Sequence, residues 1–182
     1  MQRAFTLWLT GLSGAGKSTI ASVLEERLKE RGLPVQILDG DIMRAGLSSD
    51  LGFSEKDRHR NVERAAFVAR LLNQHRVVVI ASFISPYRVA RSRCRDLIGS
   101  FIEVYVRCPL SVCIARDVKG LYRRALAGEI TDFTGISAPY EPPADPEITV
   151  DTDIEPPPAS AARILRWLED HQWLTREGDD NE

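Results

Sequence analysis

The chain has few residues of the kinds that mark disulfide-rich, zinc-binding or membrane proteins. It contains three cysteines and three histidines in 182 residues, and they are too scattered for a metal site. An odd number of dispersed thiols predicts reduced cysteines. No apolar run is long enough to span a membrane, and the N-terminal apolar stretch leads into a glycine-rich loop, unlike a signal peptide. We therefore expect a cytoplasmic chain that forms one globular domain.

Charge is unevenly distributed, although the net charge is only −2. Residues 58–124 contain 14 Lys or Arg and 4 Asp or Glu, whereas residues 125–182 contain 3 and 14. Aromatic residues are sparse in the basic segment, and no RNA- or DNA-binding motif accompanies it. We expect no nucleic-acid partner and no membrane partner. The basic residues instead predict a site for phosphorylated small molecules, together with some solvated helix faces.

The stretch GLSGAGKS from Gly11 to Ser18 has the form G-x-x-x-x-G-K-[ST]. In such a loop the backbone N–H groups surround phosphate oxygens, the lysine reaches the β- and γ-phosphates, and the serine hydroxyl binds Mg²⁺. A β-prone run precedes the loop, and a helical pattern that ends at Gly32 follows it, so a chance glycine-rich turn is the weaker interpretation. We expect catalytic Lys17 to be a solvent-facing charge in the free protein. The predicted ATP contacts are Gly11, Leu12, Ser13, Gly14, Ala15, Gly16, Lys17, Ser18 and Thr19.

Five β-prone runs alternate with helical patterns along the chain. This order predicts an α/β fold, a three-layer sandwich with a five-stranded parallel sheet and a phosphate loop after the first strand, as in P-loop nucleotide kinases. The predicted strands are 4–10, 33–38, 77–81, 101–106 and 148–150. Helices are predicted after the loop, after Ser54, over 88–97 with Pro86 in its first position, over 109–117 and around 162–168.

The long segment before the fifth strand has glycine, proline, aromatics and charges without firm periodicity. A segment of this length without its own regular structure is usually functional, and in a kinase a closing lid is the expected role. We assign residues 1–175 to one kinase domain with a lid at about 117–146. Residues 176–182 are polar and predict a disordered tail.

Six blocks of sequence together resemble the adenylylsulfate kinase (APS kinase) family. They are GLSGAGKST at 11–19, LDGD at 38–41, FISPYR at 83–88, RDVKGLY at 116–122, GEI at 128–130 and FTGI at 133–136. Many NTPases share the first block, whereas the later blocks are more specific. The resemblance implies transfer of the ATP γ-phosphate to the 3′-hydroxyl of adenosine 5′-phosphosulfate, with Mg²⁺. The products would be 3′-phosphoadenylyl sulfate and ADP, in sulfate assimilation.

The resemblance also implies a homodimer, and the chain departs from the family pattern in two places. Relatives that stand alone usually carry a segment before the first strand, whereas only ten residues precede Gly11 here. We therefore expect either a short natural form or a domain of a fusion with ATP sulfurylase. Ala90 stands where many relatives have an acidic residue, a change expected to affect only a surface pair.

The catalytic roles centre on two aspartates that follow the second predicted strand, because ligands of open parallel sheets bind beyond strand ends. Asp41 is expected to orient and deprotonate the 3′-hydroxyl. Asp39 is expected to hold Mg²⁺ with Ser18, or to assist Asp41; the alternative is a turn with two solvated carboxylates. Ser85 matches a serine that the family has as a phosphoserine intermediate. Since no neighbouring base would activate it, we favour direct transfer from ATP, with Ser85 lining the pocket.

The remaining binding residues follow from the resemblance. Arginine suits phosphosulfate because its planar fork donates two hydrogen bonds to one oxyanion, and aromatic rings stack on adenine. Alone, each phenylalanine would more often be a core residue, and each lysine or arginine a charged helix end. The predicted acceptor contacts are Asp39, Asp41, Arg44, Phe53, Arg58, Asn61, Ile84, Ser85, Lys119, Leu121 and Phe133, and Arg116 is predicted near the ATP adenine.

Two other functions stay open. One is another small-molecule P-loop kinase, of the gluconate or nucleoside-monophosphate type, which the FISPY and KGLY blocks disfavour. The other is a non-catalytic domain of an ATP sulfurylase that binds 3′-phosphoadenylyl sulfate as an effector. Such a domain can lose its phosphate loop, whereas here the loop and both aspartates are intact.

Overall fold

The structure, a computed structural model, describes residues 4–175 of the chain, so the predicted tail at 176–182 lies outside the described residues. Five strands form one parallel sheet. Helices and loops supply the crossovers that parallel strands require. The predicted five-stranded parallel sheet is confirmed. The strands are β1 (Thr6–Thr10), β2 (Val35–Asp39), β3 (Val78–Ser82), β4 (Phe101–Arg107) and β5 (Ile148–Asp151). Their order across the sheet is β2-β3-β1-β4-β5.

Helices cover both faces of the sheet. Leu7 and Leu9 pack in one buried cluster with the first and last helices, whereas Trp8 points to a second cluster with the third and fourth. Alternate side chains of a strand point to opposite faces, so both faces are buried and the predicted three layers are confirmed. The helices are α1 (Lys17–Glu30), α2 (Gly40–Ala45), α3 (Glu55–Gln74), α4 (Arg88–Ile98), α5 (Leu110–Arg116), α6 (Leu121–Leu126) and α7 (Pro157–Asp170).

The end of α1 shows how the predicted glycine stops the helix. Gly32 has φ 74°, a conformation that glycine adopts without steric cost. Its N–H donates to the Lys29 carbonyl at 2.9 Å, and the Leu33 N–H donates to the Leu28 carbonyl at 3.2 Å. These two bonds form a Schellman motif and satisfy carbonyls at the helix end.

Two short helices were not predicted, because six residues are too few to show a helical period. Asp39 begins α2 by accepting hydrogen bonds from the backbone N–H groups of Asp41 (2.9 Å) and Ile42 (3.4 Å). Asp117 holds the start of α6 through the N–H groups of Tyr122 and Arg123, at 2.9 and 3.0 Å. The predicted lid therefore contains one ordered helix.

Two local expectations in the fourth helix were wrong. Helix α4 begins at Arg88 with Tyr87 as its N-cap, so Pro86 lies before the helix rather than in its first position. Ala90 is buried in the cluster around Trp8, so the departure from the family pattern lies in the core and not at the surface. Within residues 4–175, no helix is both long and apolar enough to cross a membrane.

Candidate active site

The phosphate loop connects β1 to α1, as its sequence predicts. Gly11 passes so close to β4 that an added Cβ would lie 2.4 Å from the Val106 carbonyl oxygen. Gly16 is the N-cap of α1 and has φ 95°. The loop therefore requires glycine at both positions, and its backbone is held at the N-terminus of a helix, where N–H groups and the helix dipole favour an anion.

Lys17 begins α1 and lies beneath the loop. Its Nζ donates to the carbonyl oxygens of Gly11 (3.0 Å) and Leu12 (2.8 Å), and the residue is only 9% exposed. Burial lowers the pKa of Lys17 to about 8. The expectation of a solvent-facing lysine was wrong, because the loop folds over the side chain and offers it carbonyl acceptors.

Ser18 and Asp39 bring two oxygen donors together beside the loop. The Ser18 hydroxyl donates to Oδ2 of Asp39 at 3.0 Å, and Oδ1 of Asp39 caps α2. Residues 4–175 hold no cluster of three or more His, Cys, Asp or Glu side chains that could bind a metal. A hydroxyl and one carboxylate nevertheless suit Mg²⁺, which commonly takes one or two carboxylates and completes its shell with phosphate oxygens and water.

Asp41 lies in the first turn of α2 and forms an ion pair with Lys119, just before α6. Both side chains are mostly exposed, at 73% for Asp41 and 58% for Lys119. An exposed pair of this kind contributes at most about 1 kcal/mol. The predicted base and the predicted lid lysine therefore meet in a contact that is easily broken.

Two guanidinium groups flank the exposed ring of Phe53. The Arg44 guanidinium lies 4.4 Å from the ring centroid and that of Arg58 lies 5.6 Å away. Arg44 donates to the Gly52 carbonyl, and Arg58 donates to the carbonyls of Phe53 and Asp132. Burial lowers the pKa of both arginines, and the charge of Arg58 lowers that of Arg44 further. Because carbonyls do not neutralise a cation, this region suits an anion beside an aromatic ring.

Asn61, one turn after Arg58 on α3, is 4% exposed. Its Oδ1 atom is buried and has no hydrogen-bond partner within residues 4–175. A buried polar atom without a partner costs free energy unless something completes its bonding. Asn61 therefore suits contact with a polar group in the cavity.

Phe133 forms a second aromatic wall and is tied to the phosphate loop. Its ring packs edge-on against Tyr122, with centroids 5.1 Å apart. The Tyr122 hydroxyl donates to the Ser13 carbonyl at 2.9 Å. Within the predicted lid, the buried side chain of Tyr122 therefore links Phe133 to the phosphate loop.

Ser85 is buried in a chain of hydrogen bonds. Its hydroxyl accepts a bond from Trp8 Nε1 and donates to Thr10 Oγ1, both at 3.1 Å. Its backbone has φ 40°, which is unusual for a residue other than glycine. The hydroxyl proton is thus directed to another hydroxyl and not to a carboxylate or an imidazole that could act as a base.

One cavity of about 820 Å³ joins these groups. Of the predicted site residues, only Gly11, Leu12 and Ala15 do not line it. The predicted residues that do are Ser13, Gly14, Gly16, Lys17, Ser18, Thr19, Asp39, Asp41, Arg44, Phe53, Arg58, Asn61, Ile84, Ser85, Arg116, Lys119, Leu121 and Phe133.

Sequence reasoning missed the part of the cavity that follows β5. Thr152, Glu155 and Pro157 line it there. Thr152 donates to the Ala15 carbonyl at 2.8 Å, and Arg116 donates to the Thr152 carbonyl at 2.5 Å. The strand-end rule that identified Asp39 and Asp41 at the end of β2 would have found Thr152, which directly follows β5.

Comparisons with known proteins agree with this geometry. The family model described as Adenylylsulphate kinase matches residues 3–151. The adenylyl-sulfate kinase of Halothermothrix orenii is 54% identical over 173 residues, which are 95% of this chain and 94% of that protein. The Mycobacterium tuberculosis APS kinase, solved in complex with AMPPNP and APS, has a TM-score of 0.90 at 41% identity and covers 93% of this chain and 99% of its own.

A more distant relative is the hexameric APS kinase from Thiobacillus denitrificans. It is 36% identical with a TM-score of 0.71, and the match covers 95% of this chain but 30% of that longer chain. The family match spans most of the chain, and the relatives share both sequence and fold. This chain therefore belongs to the adenylylsulfate kinase family.

Proposed function

We propose that the chain transfers the γ-phosphate of ATP to the 3′-hydroxyl of adenosine 5′-phosphosulfate, giving 3′-phosphoadenylyl sulfate and ADP. The observation that carries this proposal is one continuous cavity, in which a phosphate loop faces a pocket of aromatic rings and guanidinium groups that donate to backbone carbonyls. The side of the cavity formed by the phosphate loop, the donor half, suits the ATP phosphates. The side formed by the aromatic rings and arginines, the acceptor half, suits an adenosine that carries a phosphosulfate.

The donor half would work through positioning and charge. Lys17 would turn from the loop carbonyls to the β- and γ-phosphates, and Arg116, which contacts the loop at Gly14, would lie near the ATP adenine. Ser18 and Asp39 would hold Mg²⁺, which neutralises charge on the transferring phosphate. These roles rest on the Ser18–Asp39 contact and on the position of Lys17 beneath the loop.

The acceptor half would bind and activate the alcohol. Arg44, Arg58 and Asn61 would hold the phosphosulfate and ribose, and Phe53 and Phe133 would enclose the adenine. Asp41 would accept the proton of the 3′-hydroxyl once Lys119 leaves it for the phosphates. Ile84, Ser85 and Leu121 would line the pocket. Transfer would be direct, which the hydrogen bond from Ser85 to Thr10 supports.

An ADP-release assay with a panel of acceptors tests the proposal. Adenosine 5′-phosphosulfate should support turnover, and 3′-phosphoadenylyl sulfate should appear in equal amount. Turnover with gluconate or a nucleoside monophosphate, but not with adenosine 5′-phosphosulfate, would favour another small-molecule kinase. Tight binding of 3′-phosphoadenylyl sulfate without any ADP release would favour a non-catalytic effector domain.

We also propose self-association, with a homodimer as the simplest form. Supporting observations are the hexameric relative and the exposed apolar side chains of Phe67 and Leu71, which are 55% and 42% exposed on α3. Light scattering after size-exclusion chromatography measures the mass directly, and a monomer at micromolar concentration would contradict the proposal. Association with ATP sulfurylase stays a prediction from the resemblance.

A further inference from the structure

Arg91 on α4 connects three separate parts of the molecule through its guanidinium group. Its Nε donates to Oε1 of Glu103 on β4 at 2.6 Å. Its Nη1 donates to the Ser85 carbonyl at 2.6 Å, and its Nη2 donates to the Glu141 carbonyl at 2.8 Å. The residue is only 3% exposed. A buried cation needs partners on all sides, and here two of the three partners are backbone carbonyls, one of which belongs to Ser85 in the cavity wall.

The first of these carbonyls belongs to a strained segment of the cavity wall. Ser85 has φ 40° and precedes a proline, which itself restricts the backbone of the preceding residue. Such a conformation persists only when its surroundings hold it. Trp8 and Thr10 hold the Ser85 side chain, whereas Arg91 holds the backbone. The bond from Arg91 therefore helps to fix the direction in which this wall faces the cavity.

The second carbonyl belongs to the C-terminal end of the predicted lid. The Glu141 N–H donates to the Pro86 carbonyl at 2.8 Å, and its carboxylate accepts from the Arg88 N–H at 2.8 Å. Next to it, the Tyr140 hydroxyl is hydrogen-bonded to Thr10 Oγ1 at 3.0 Å. The end of the lid and the strained segment are thus joined to each other, with Arg91 bonded to both.

We propose that Arg91 is a positioning residue for the acceptor half of the site. It fixes the Ser85 segment and the end of the lid in one arrangement, so that the acceptor pocket is formed before the substrate binds. Within residues 4–175, Arg91 has no hydrogen bond to a residue of the phosphate loop, so we expect ATP binding to depend little on it. The proposal rests on the proposed function for its kinetic consequences, but its structural consequence can be measured without turnover.

Arg91→Lys is the informative substitution, because it keeps the positive charge beside Glu103. One ammonium at the end of a flexible stem cannot reproduce the planar fork that bonds three separate acceptors. Arg93→Lys is the matched control on the same helix, since Arg93 is exposed and pairs with Glu63 at 3.3 Å. If Arg91→Lys does not fold, the double variant Arg91→Met with Glu103→Met removes the buried charge pair as a whole while Arg95 keeps its bonds to Glu147.

Three measurements test the proposal. In Arg91→Lys, KM for adenosine 5′-phosphosulfate should rise about tenfold or more and kcat should fall. The reason is that the Ser85 segment and the end of the lid would no longer be held in one arrangement around the acceptor. The dissociation constant for ATP without acceptor should stay within about twofold. Amide hydrogen exchange should speed up at residues 138–142 but not in α1. Arg93→Lys should match the wild type in all three.

The outcomes separate the two proposals. A folded Arg91→Lys protein with wild-type kinetics and wild-type exchange would overturn the role of Arg91. Equal losses of ATP and acceptor affinity would also overturn it, because they indicate general destabilisation. A wild-type protein that does not phosphorylate adenosine 5′-phosphosulfate would instead refute the proposed function, and the exchange experiment would still decide whether Arg91 holds the end of the lid.

Discussion

Replacing Lys17 with methionine tests whether the buried ammonium is costly in the free protein. Methionine keeps most of the length and volume of the side chain and removes the charge. The structure places the ammonium beneath the loop, 2.8 Å and 3.0 Å from two carbonyl oxygens. The same substitution should abolish ADP release, because no cation would remain in the loop to contact the β- and γ-phosphates.

The expected magnitude follows from the pKa of Lys17, which burial lowers from 10.5 to about 8. Cys113, Asp39 and Asp41 oppose this shift, and Lys119 adds to it. The difference corresponds to about 3 kcal/mol of unfolding free energy. Below pH 8 both the folded and the unfolded states carry the proton, and the full cost is present. As the pH rises from 8 to 10.5, the folded state loses its proton first, so stability increases with pH.

Urea unfolding of both proteins without nucleotide, from pH 7 to pH 10, measures this effect. The unfolding free energy of the wild type minus that of Lys17→Met should rise by about 2–3 kcal/mol over this range. Subtracting the two curves removes the titration of every shared group. Lys29→Met on the exposed face of α1 controls for the loss of one lysine. A difference that stays constant from pH 7 to pH 10 would refute the reasoning.

Three further substitutions test separate parts of the site. Asp41→Asn should lower kcat by about 10²–10⁴-fold with little change in acceptor affinity, and a rate within about twofold of wild type across a Mg²⁺ series would rule out a general base. Ser85→Ala should keep substantial activity, and no phosphoprotein should form from labelled ATP alone; stoichiometric label on Ser85 that passes into product would show a covalent intermediate. Tyr122→Phe removes the hydroxyl that donates to the Ser13 carbonyl and lies beside Cys113, so KM for ATP should rise about threefold to tenfold while KM for the acceptor stays constant, and equal rises in both would contradict this link.

Much of the fold could be predicted because its signals are local. The β-branched run from Val77 to Ile80 is typical of a strand covered on both faces. The structure has strand β3 there, at Val78–Ser82. The glycine that ends α1 is equally local. Helices α2 and α6 could not be predicted, because they are too short to show a periodic pattern of apolar residues. Hydrogen bonds to the side chains of Asp39 and Asp117 stabilise their first turns instead.

The candidate site was predicted less completely, because burial and contacts depend on the tertiary structure. The loop motif identifies Lys17 but not the carbonyls that bury it. The resemblance identifies Lys119 and Asp41 separately, and only the fold brings them into contact. Arg91 has no signal in the sequence that sets it apart from the other arginines of the basic segment, since its contacts with the Ser85 and Glu141 carbonyls depend on the fold. The roles of all these residues stay predictions until the kinetics are measured.

The contacts of the predicted lid differ in strength, and this difference indicates which of them must change during turnover. Arg91 binds the C-terminal part of the segment through a bond from a charged group, which contributes about 1.5–3 kcal/mol. Tyr122 binds the N-terminal part through a bond between neutral groups, which contributes about 0.5–1.5 kcal/mol. Lys119 lies three residues before Tyr122, and its exposed pair with Asp41 contributes at most about 1 kcal/mol. Lys119 donates to Oδ2 of Asp41, so an alcohol would reach this carboxylate oxygen more easily once Lys119 has moved away. The exposed pair is therefore the contact, of these three, that the proposed chemistry would change, and ATP phosphates bound beside Lys17 would offer Lys119 another partner.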